Sequence, residues 1–253
     1  MKNNFILYSS YYDLLYLDKN YASESGYVIN LIRSLSNNSK TILEYGCGTG
    51  NHAKYFCDEG FTVIGLEKSE EMVDIAKRKC IPNFHPQIGD ITSFEIDKKV
   101  DVVTALFHVI SYLTSNEDLL NCFRITNRHL NEGGYLIFDV WYGPAVYTQQ
   151  PTTRIKRLEN DEIEFVRLAE PVWQYNRNVV DVNYEIIATN KKDKITERFS
   201  ETHPMRYFTI PELELLAKQT GFEIVKVEEF LTGKAPDTST WGVCFILNKI
   251  ENV

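Results

Sequence analysis

The segment TILEYGCGTGNHAKYF, residues 41–56, constrains the fold more than any other. Its apolar opening, TILEYG, reads as a short buried strand. The strand feeds a loop with glycines at 46, 48 and 50, and the loop feeds NHAKYFCDEGF, a helix that Gly60 ends. A turn needs one such glycine or two. Three at alternate positions predict a backbone that a ligand approaches closely, most readily a nucleotide-like one. The helix start behind the loop adds unpaired backbone N–H groups and a partial positive charge.

The same grammar repeats downstream. FTVIGLE, FHPQIGD, VDVVTALF and GGYLIFDVW read as strands, SEEMVDIAKRK and EDLLNCFRITNRHL as helices, and YASESGYVINLIRSL as a helix ahead of the first strand. From Pro151 the pattern becomes β-rich, in RIKRLE, EIEFVRLAEPVWQY, VVDVNYEIIAT and ITERFSETHPMRYF, with Val180, Val182, Tyr184 and Ile186 alternating onto one face. Pro211 then opens a helix, and EIVKVEEFL and WGVCFILNK close the chain as strands. The expectation is an α/β fold, with a Rossmann-like, doubly wound, mostly parallel seven-stranded sheet and an inserted antiparallel β layer. Residues 1–150 would hold a tyrosine-rich lead-in and the ligand-binding core, 151–208 the insertion, and 209–253 the return to the core.

A formal charge of −8 on 253 residues argues against a general nucleic-acid binder, which needs a basic face. Five scattered cysteines without a CxxC pair fit a reducing compartment and offer neither a zinc framework nor a disulfide scaffold, so no metal is expected. The apolar patch from Phe5 to Tyr8 is too short for a signal peptide, and no run is long enough to span a bilayer. A cytoplasmic protein without a membrane partner is expected.

The loop spacing is GxGxG. A dinucleotide-binding turn would place glycine at position 51, where Asn51 stands, and the Lys-Ser/Thr pair of a Walker loop is absent. Glu67 ends the second strand, 19 positions beyond Gly48, where a carboxylate can accept from ribose hydroxyls. Asp90 ends the next strand, placed to accept from an exocyclic amine. Together these describe an adenosine site without a phosphate cradle.

In these motifs the chain resembles class I S-adenosylmethionine-dependent methyltransferases: EYGCGTG matches their E/D-x-G-x-G-x-G motif, GLEKSEEM their ribose motif and GDI their adenine motif. The resemblance implies S-adenosylmethionine as cofactor. Glu44, Gly46 and Gly48 would face its methionine portion, Glu67 the ribose, and Asp90 with Ile91 the adenine. Met72 would pack on the adenosine, with Leu106 and Phe107 lining the cleft. The flanks YYDLLYLDKNYASE, ALFHVISYL and FDVWYGP resemble, more narrowly, the N,N-dimethyltransferases of nucleotide-linked amino sugars, as in desosamine and mycaminose biosynthesis. That implies a small-molecule acceptor, a nucleotide-linked sugar, walled by residues 151–208, and admits a homodimer. The C-terminal Ser-Gly-Arg-Gly segment of that group is replaced here by GKAPDTSTWG.

The remaining candidates surround the methyl group. His108, directly after the fourth strand, is the first candidate base, with His203 and Tyr12 behind it. Tyr12 and Tyr21 belong to the lead-in, which the related enzymes fold over the cofactor, and Tyr16 reads as structural. Tyr112 and Trp141 stand at cleft positions as acceptor walls, and Arg206 with His203 could meet an anion. His52 could reach the cofactor carboxylate or cap its helix. An amine acceptor needs mainly alignment with the sulfonium methyl, whereas a hydroxyl needs a base. The residues leave open amine or hydroxyl, and sugar or another small metabolite. They also admit a non-enzymatic adenosine sensor, which the intact acids disfavour.

Overall fold

Three helix starts in this chain are set by side chains that accept the orphaned first-turn N–H groups. Asn20 Oδ1 accepts from Ser23 N at 2.9 Å, Ser69 Oγ from Met72 N at 3.2 Å and Ser115 Oγ from Asp118 N at 3.0 Å. They open α1 (Tyr21–Leu35), α3 (Glu70–Arg78) and α4 (Asn116–His129). The helix α2 (Asn51–Asp58) starts instead from Gly50 in the glycine loop. The computed structural model describes Leu15, Tyr16 and Asp18 to Asn252. Tyr12, a candidate at the site, lies outside the described residues.

Five strands run parallel in the order β3 (Phe84–Ile88), β2 (Thr62–Glu67), β1 (Thr41–Tyr45), β4 (Val100–Ala105) and β5 (Leu130–Tyr142). Two antiparallel strands, β11 (Gly242–Lys249) and then β10 (Phe222–Glu229), extend the sheet beyond β5. Both faces are covered, so the central strands are apolar on both sides. Leu43, Val103 and Phe138 pack toward Leu119 and Phe123 of α4 and Leu213 of α6 (Ile210–Gln219); Ile42, Val63 and Val102 pack toward Val28 and Ile32 of α1 and Phe56 of α2. Chain order reverses around β1, and the crevice this leaves beyond its carboxyl end is where open α/β sheets bind ligands. No described helix is long and apolar enough to cross a membrane.

The β-rich stretch folds as a meander of β6 (Arg154–Glu159), β7 (Ile163–Gln174), β8 (Val179–Asn190) and β9 (Thr196–Phe208), each antiparallel to the next. It is the inserted antiparallel layer expected, and it is joined to the main sheet along one edge. β9 joins β5 in parallel, with Trp141 opposite Tyr207 and Tyr142 opposite Phe208. The reason is a length mismatch: β4 stops pairing at Ala105 opposite Phe138, so the end of β5 has an unused edge whose backbone groups need partners. β11 holds the other edge as far as Trp141. A short helix absent from the sequence reading, α5 (Gly143–Gln149), then turns the chain into the meander, with a proline in its first turn. The inner face of the meander buries Phe165, Ile186 and Phe199 against Leu15 and Met72, which brings it over the open end of the sheet.

Candidate active site

A cavity of about 820 Å³ opens beyond the carboxyl ends of β1 to β4, lined there by Gly46, Gly48, Glu67, Asp90, Leu106 and His108. The three loop glycines all have positive φ, +62°, +54° and +82° at Gly46, Gly48 and Gly50, which favours glycine over any side chain. Their surroundings differ. A Cβ at Gly46 would sit 2.4 Å from Val109 Cγ2, and one at Gly50 2.6 Å from Phe84 Cε1. At Gly48 the nearest atom would be Met72 Sδ at 4.0 Å. Two of the glycines are therefore demanded by the protein's own packing, and only Gly48 leaves its space to the cavity. That narrows the expectation that all three make room for a ligand.

Glu67 ties the loop to the end of β2. Its Oε2 accepts from Gly48 N at 3.1 Å, and Oε1 accepts from Lys68 N and Ser69 N at 2.8 and 2.9 Å. Asp90 accepts from Thr92 N and Oγ1 and from Lys68 Nζ. Burial alone would raise its carboxyl pKa, but these bonds outweigh it and hold the group at about 2. Ile91 and Met72 line the cavity beside these acids. Replacing Glu67 by alanine should weaken binding of the demethylated cofactor by about 1.5–3 kcal/mol, the scale of a hydrogen bond to a charged group. Titration calorimetry reads this directly, and an unaltered affinity would take Glu67 out of the binding site.

Glu44 lies beneath the loop rather than in its lining, 1% exposed, and its Oε2 has no hydrogen-bond partner. Burial and then the charge of Glu67 push its pKa up to about 8. His52 lines the cavity but faces two carboxylates of the protein itself, Glu24 Oε2 at 2.8 Å from Nε2 and Glu44 Oε1 at 3.7 Å from Nδ1. The helix-cap expectation for it does not match this geometry, since Gly50 occupies the cap position without a side-chain bond. Tyr21, also in the lining, stands edge-on to the His52 ring at 4.9 Å.

After β4 the chain turns sharply through Phe107 and His108, with φ of +64° and +62°. Two consecutive left-handed residues other than glycine store roughly 1–2 kcal/mol each. Asp139, on β5 and 1% exposed, holds the turn: its carboxylate accepts from His108 N at 3.2 Å and its Oδ2 lies 2.6 Å from His108 Nδ1. The ring contact is an ion pair by distance, without the alignment of a good hydrogen bond. Phe107 is flanked by the Tyr16 ring edge-on at 5.1 Å and by Lys19 Nζ at 4.0 Å, so Tyr16, read as structural, is part of the cavity lining. Trp141 closes this side, edge-on to His108.

The meander supplies the opposite wall. Tyr184, His203 and Met205 line it, together with Arg167 and with Tyr112 from the 3₁₀ turn Val109–Tyr112. Arg206 does not reach the cavity, which corrects its placement at the acceptor. Its side chain is buried against Asn116 Oδ1 at 2.8 Å and Glu212 Oε1 at 2.6 Å. Alternation explains the exchange: on β9, Arg206 points opposite to His203 and Met205. Arg167, Tyr184 and Asp139 were missed because an alternating strand shows which residues share a face, not which face meets a cavity.

A family described as a methyltransferase domain matches residues 25–227. The chain belongs to that family. The protein is a methyltransferase, and S-adenosylmethionine is the donor that its loop motifs imply. The dTDP-3-amino-3,4,6-trideoxy-alpha-D-glucopyranose N,N-dimethyltransferase of Streptomyces venezuelae is 27% identical over 225 residues, 88% of this chain and 93% of the relative. The dTDP-4-amino-2,3,4,6-tetradeoxy-D-glucose N,N-dimethyltransferase of Saccharopolyspora spinosa is 28% identical over 216 residues, 85% and 82% of the two chains. The crystal structure of Streptomyces venezuelae DesVI superposes with a TM-score of 0.80 over 96% of this chain and 98% of that one, at 24% identity, a likeness of fold. The methyltransferase site fits the donor on its own geometry. It has an unpartnered buried acceptor at Glu44, open space at Gly48, and two carboxylates, Glu67 and Asp90, already fixed by backbone bonds.

Proposed function

We propose that this methyltransferase methylates the amine of a nucleotide-linked amino sugar. The observation that carries the reading is Arg167. It lines the cavity with its guanidinium over the Tyr184 ring at 4.8 Å, and its buried Nε has no hydrogen-bond partner among the described residues. Lys68, also in the lining, is matched by Asp90 at 2.9 Å. A guanidinium left open in a cavity wall suits an anion that can take two bonds at once, as a diphosphate does. The two relatives act, by name, on dTDP-linked amino sugars.

In this reading residues 151–208 form the acceptor wall, and the loops of 1–150, with 209–253 completing the core, hold the donor. The bound sulfonium supplies an activated methyl. Glu67, Asp90 and the Gly48 backbone fix the donor end, while Arg167 sets how deep the acceptor enters. The rings of Phe107, Tyr112, Trp141 and Tyr184 line the same part of the cavity, and apolar ring surface there favours an uncharged amine. A screen of nucleotide-linked sugars with labelled donor tests the reading. Arg167→Met should raise the KM for a diphosphate-linked acceptor roughly tenfold or more, the loss of one charged hydrogen-bond partner, while affinity for the demethylated cofactor holds. An unchanged KM would remove the anion contact, and a screen without any methylated sugar would remove the acceptor class.

The pairing of His108 with Asp139 favours a second reading, a hydroxyl acceptor with His108 as base. The two readings part on His108→Asn. Turnover should fall about tenfold or less with an amine, where alignment does most of the work, and ~10²–10⁴-fold with a hydroxyl.

A further inference from the structure

The geometry points to a proton relay of Tyr112, His203 and Glu201 that takes the proton from the acceptor nitrogen after methyl transfer and so frees its lone pair for the next. The inference rests on the amine reading above. Tyr112 Oη lies 2.8 Å from His203 Nδ1, and His203 Nε2 lies 3.1 Å from Glu201 Oε2. Tyr112 and His203 line the cavity, and the Glu201 side chain is buried behind them at 8% exposure. His203 and Glu201 are two apart on β9 and therefore share its face. Tyr184, opposite Glu201 on β8, sets its ring edge-on to His203 at 4.8 Å, under the Arg167 guanidinium.

The hydrogen bonds assign the protons. A carboxylate only accepts, so His203 Nε2 carries its hydrogen toward Glu201 and Nδ1 presents a lone pair. Tyr112 must then be the donor to Nδ1, which leaves its oxygen lone pairs to accept from the cavity. Tyr112 is among the residues that line that cavity, and nearly half of its surface is exposed. Burial, and then the neighbouring Tyr16 and Tyr184, raise its pKa well above the usual phenol value, so the hydroxyl stays protonated and passes a proton on without holding a charge.

Methyl transfer forms an N–C bond from the amine lone pair and breaks the C–S bond, whose electrons stay on sulfur. The nitrogen becomes an ammonium with no lone pair, and a second transfer is blocked until a proton leaves. In the relay that proton passes to the Tyr112 oxygen while the Tyr112 proton moves to His203 Nδ1. The resulting imidazolium faces the Glu201 carboxylate and later yields its proton to water. His108 is not arranged this way, because its Nδ1 is set against Asp139.

The test has two arms. Nitrogen-15 NMR of histidine in the free protein should show His203 protonated at Nε2 and bare at Nδ1, and Glu201→Gln should disturb that tautomer. A wild-type His203 protonated at Nδ1 overturns the relay with no acceptor needed. In the second arm dTDP-3-amino-3,4,6-trideoxyglucose is supplied with excess donor, and the mono- and dimethylated products are counted by mass spectrometry. Wild type should reach the dimethyl product. Tyr112→Phe and Glu201→Gln should accumulate the monomethyl product, with the second transfer slowed ~10²-fold relative to the first. A wild type that stops at one methyl, or variants with an unaltered product ratio, overturn the inference. No methylation of this amine by wild type sinks the amine reading itself, and the relay with it.

Discussion

His108→Ala should destabilise the folded enzyme by about 3–5 kcal/mol at neutral pH, the cost of stranding a buried charge whose partner is removed. The charge is that of Asp139, enclosed under the turn that His108 occupies. Burial by itself would raise the Asp139 pKa, but the His108 ring and backbone N–H outweigh it and hold the group below the usual carboxylate value. The sign follows. A depressed carboxyl pKa stabilises the fold above the unfolded value near 4, and that contribution disappears as pH falls through the folded value. Without the imidazole, burial dominates and the Asp139 pKa rises. The variant then gains most from protonating Asp139 in acid and loses that gain as pH rises. Urea unfolding between pH 4 and 8 should show the gap between wild type and variant widest near pH 7 and closing toward pH 4. A gap that did not change with pH would mean that the pair contributes packing alone.

Glu44→Gln should weaken cofactor binding by about 2–5 kcal/mol, the range for truncating one partner of a desolvated charge pair. The buried, unpartnered Oε2 with a pKa of about 8 means that Glu44 is mostly protonated at pH 7 in the free protein. An ammonium brought beside it would favour the carboxylate, so binding should release up to one proton. Calorimetry in buffers of different ionisation enthalpy measures that release, which should be present at pH 7, fade above pH 8 and vanish in Glu44→Gln. The free protein carries the matching signature. A raised pKa contributes stability that is full below the unfolded value and lost as pH rises through about 8. Binding enthalpies that do not vary with buffer would place Glu44 away from the cofactor's charge.

The residues proposed to hold the donor gather at one edge of the sheet, and that gathering was legible in the sequence because its parts are local. Glu67 ends β2 and Asp90 lies two residues beyond β3, and a strand end in a parallel sheet points to the same edge whatever surrounds it. The acceptor side was legible only in part. His203 lines the cavity and Arg206 does not, although they stand three residues apart, because which face of β9 turns inward depends on how the meander docks. The two carboxylates beside His52 were not legible, because they come from α1 and β1, distant in the chain.

By itself the sequence determined the strand–helix alternation and the order of motifs along the core, since each depends on side-chain period and on residues within one loop of each other, while the class of donor came from the resemblance of those motifs to a known family. The tertiary structure alone decided three further things. Val109 and Phe84, arriving from elsewhere, give Gly46 and Gly50 a packing reason distinct from that of Gly48. The end of β5 left unpaired by the shorter β4 recruits β9 and so makes the meander part of the main sheet. That docking sets Tyr112 against His203 and opens Arg167 to the cavity, and the contacts join segments 91 residues apart or come from strands whose facing no local pattern specifies. A local pattern fixes which residues lie side by side along an element. Only the packing of elements, driven by unpaired backbone and apolar surface, fixes what those residues face.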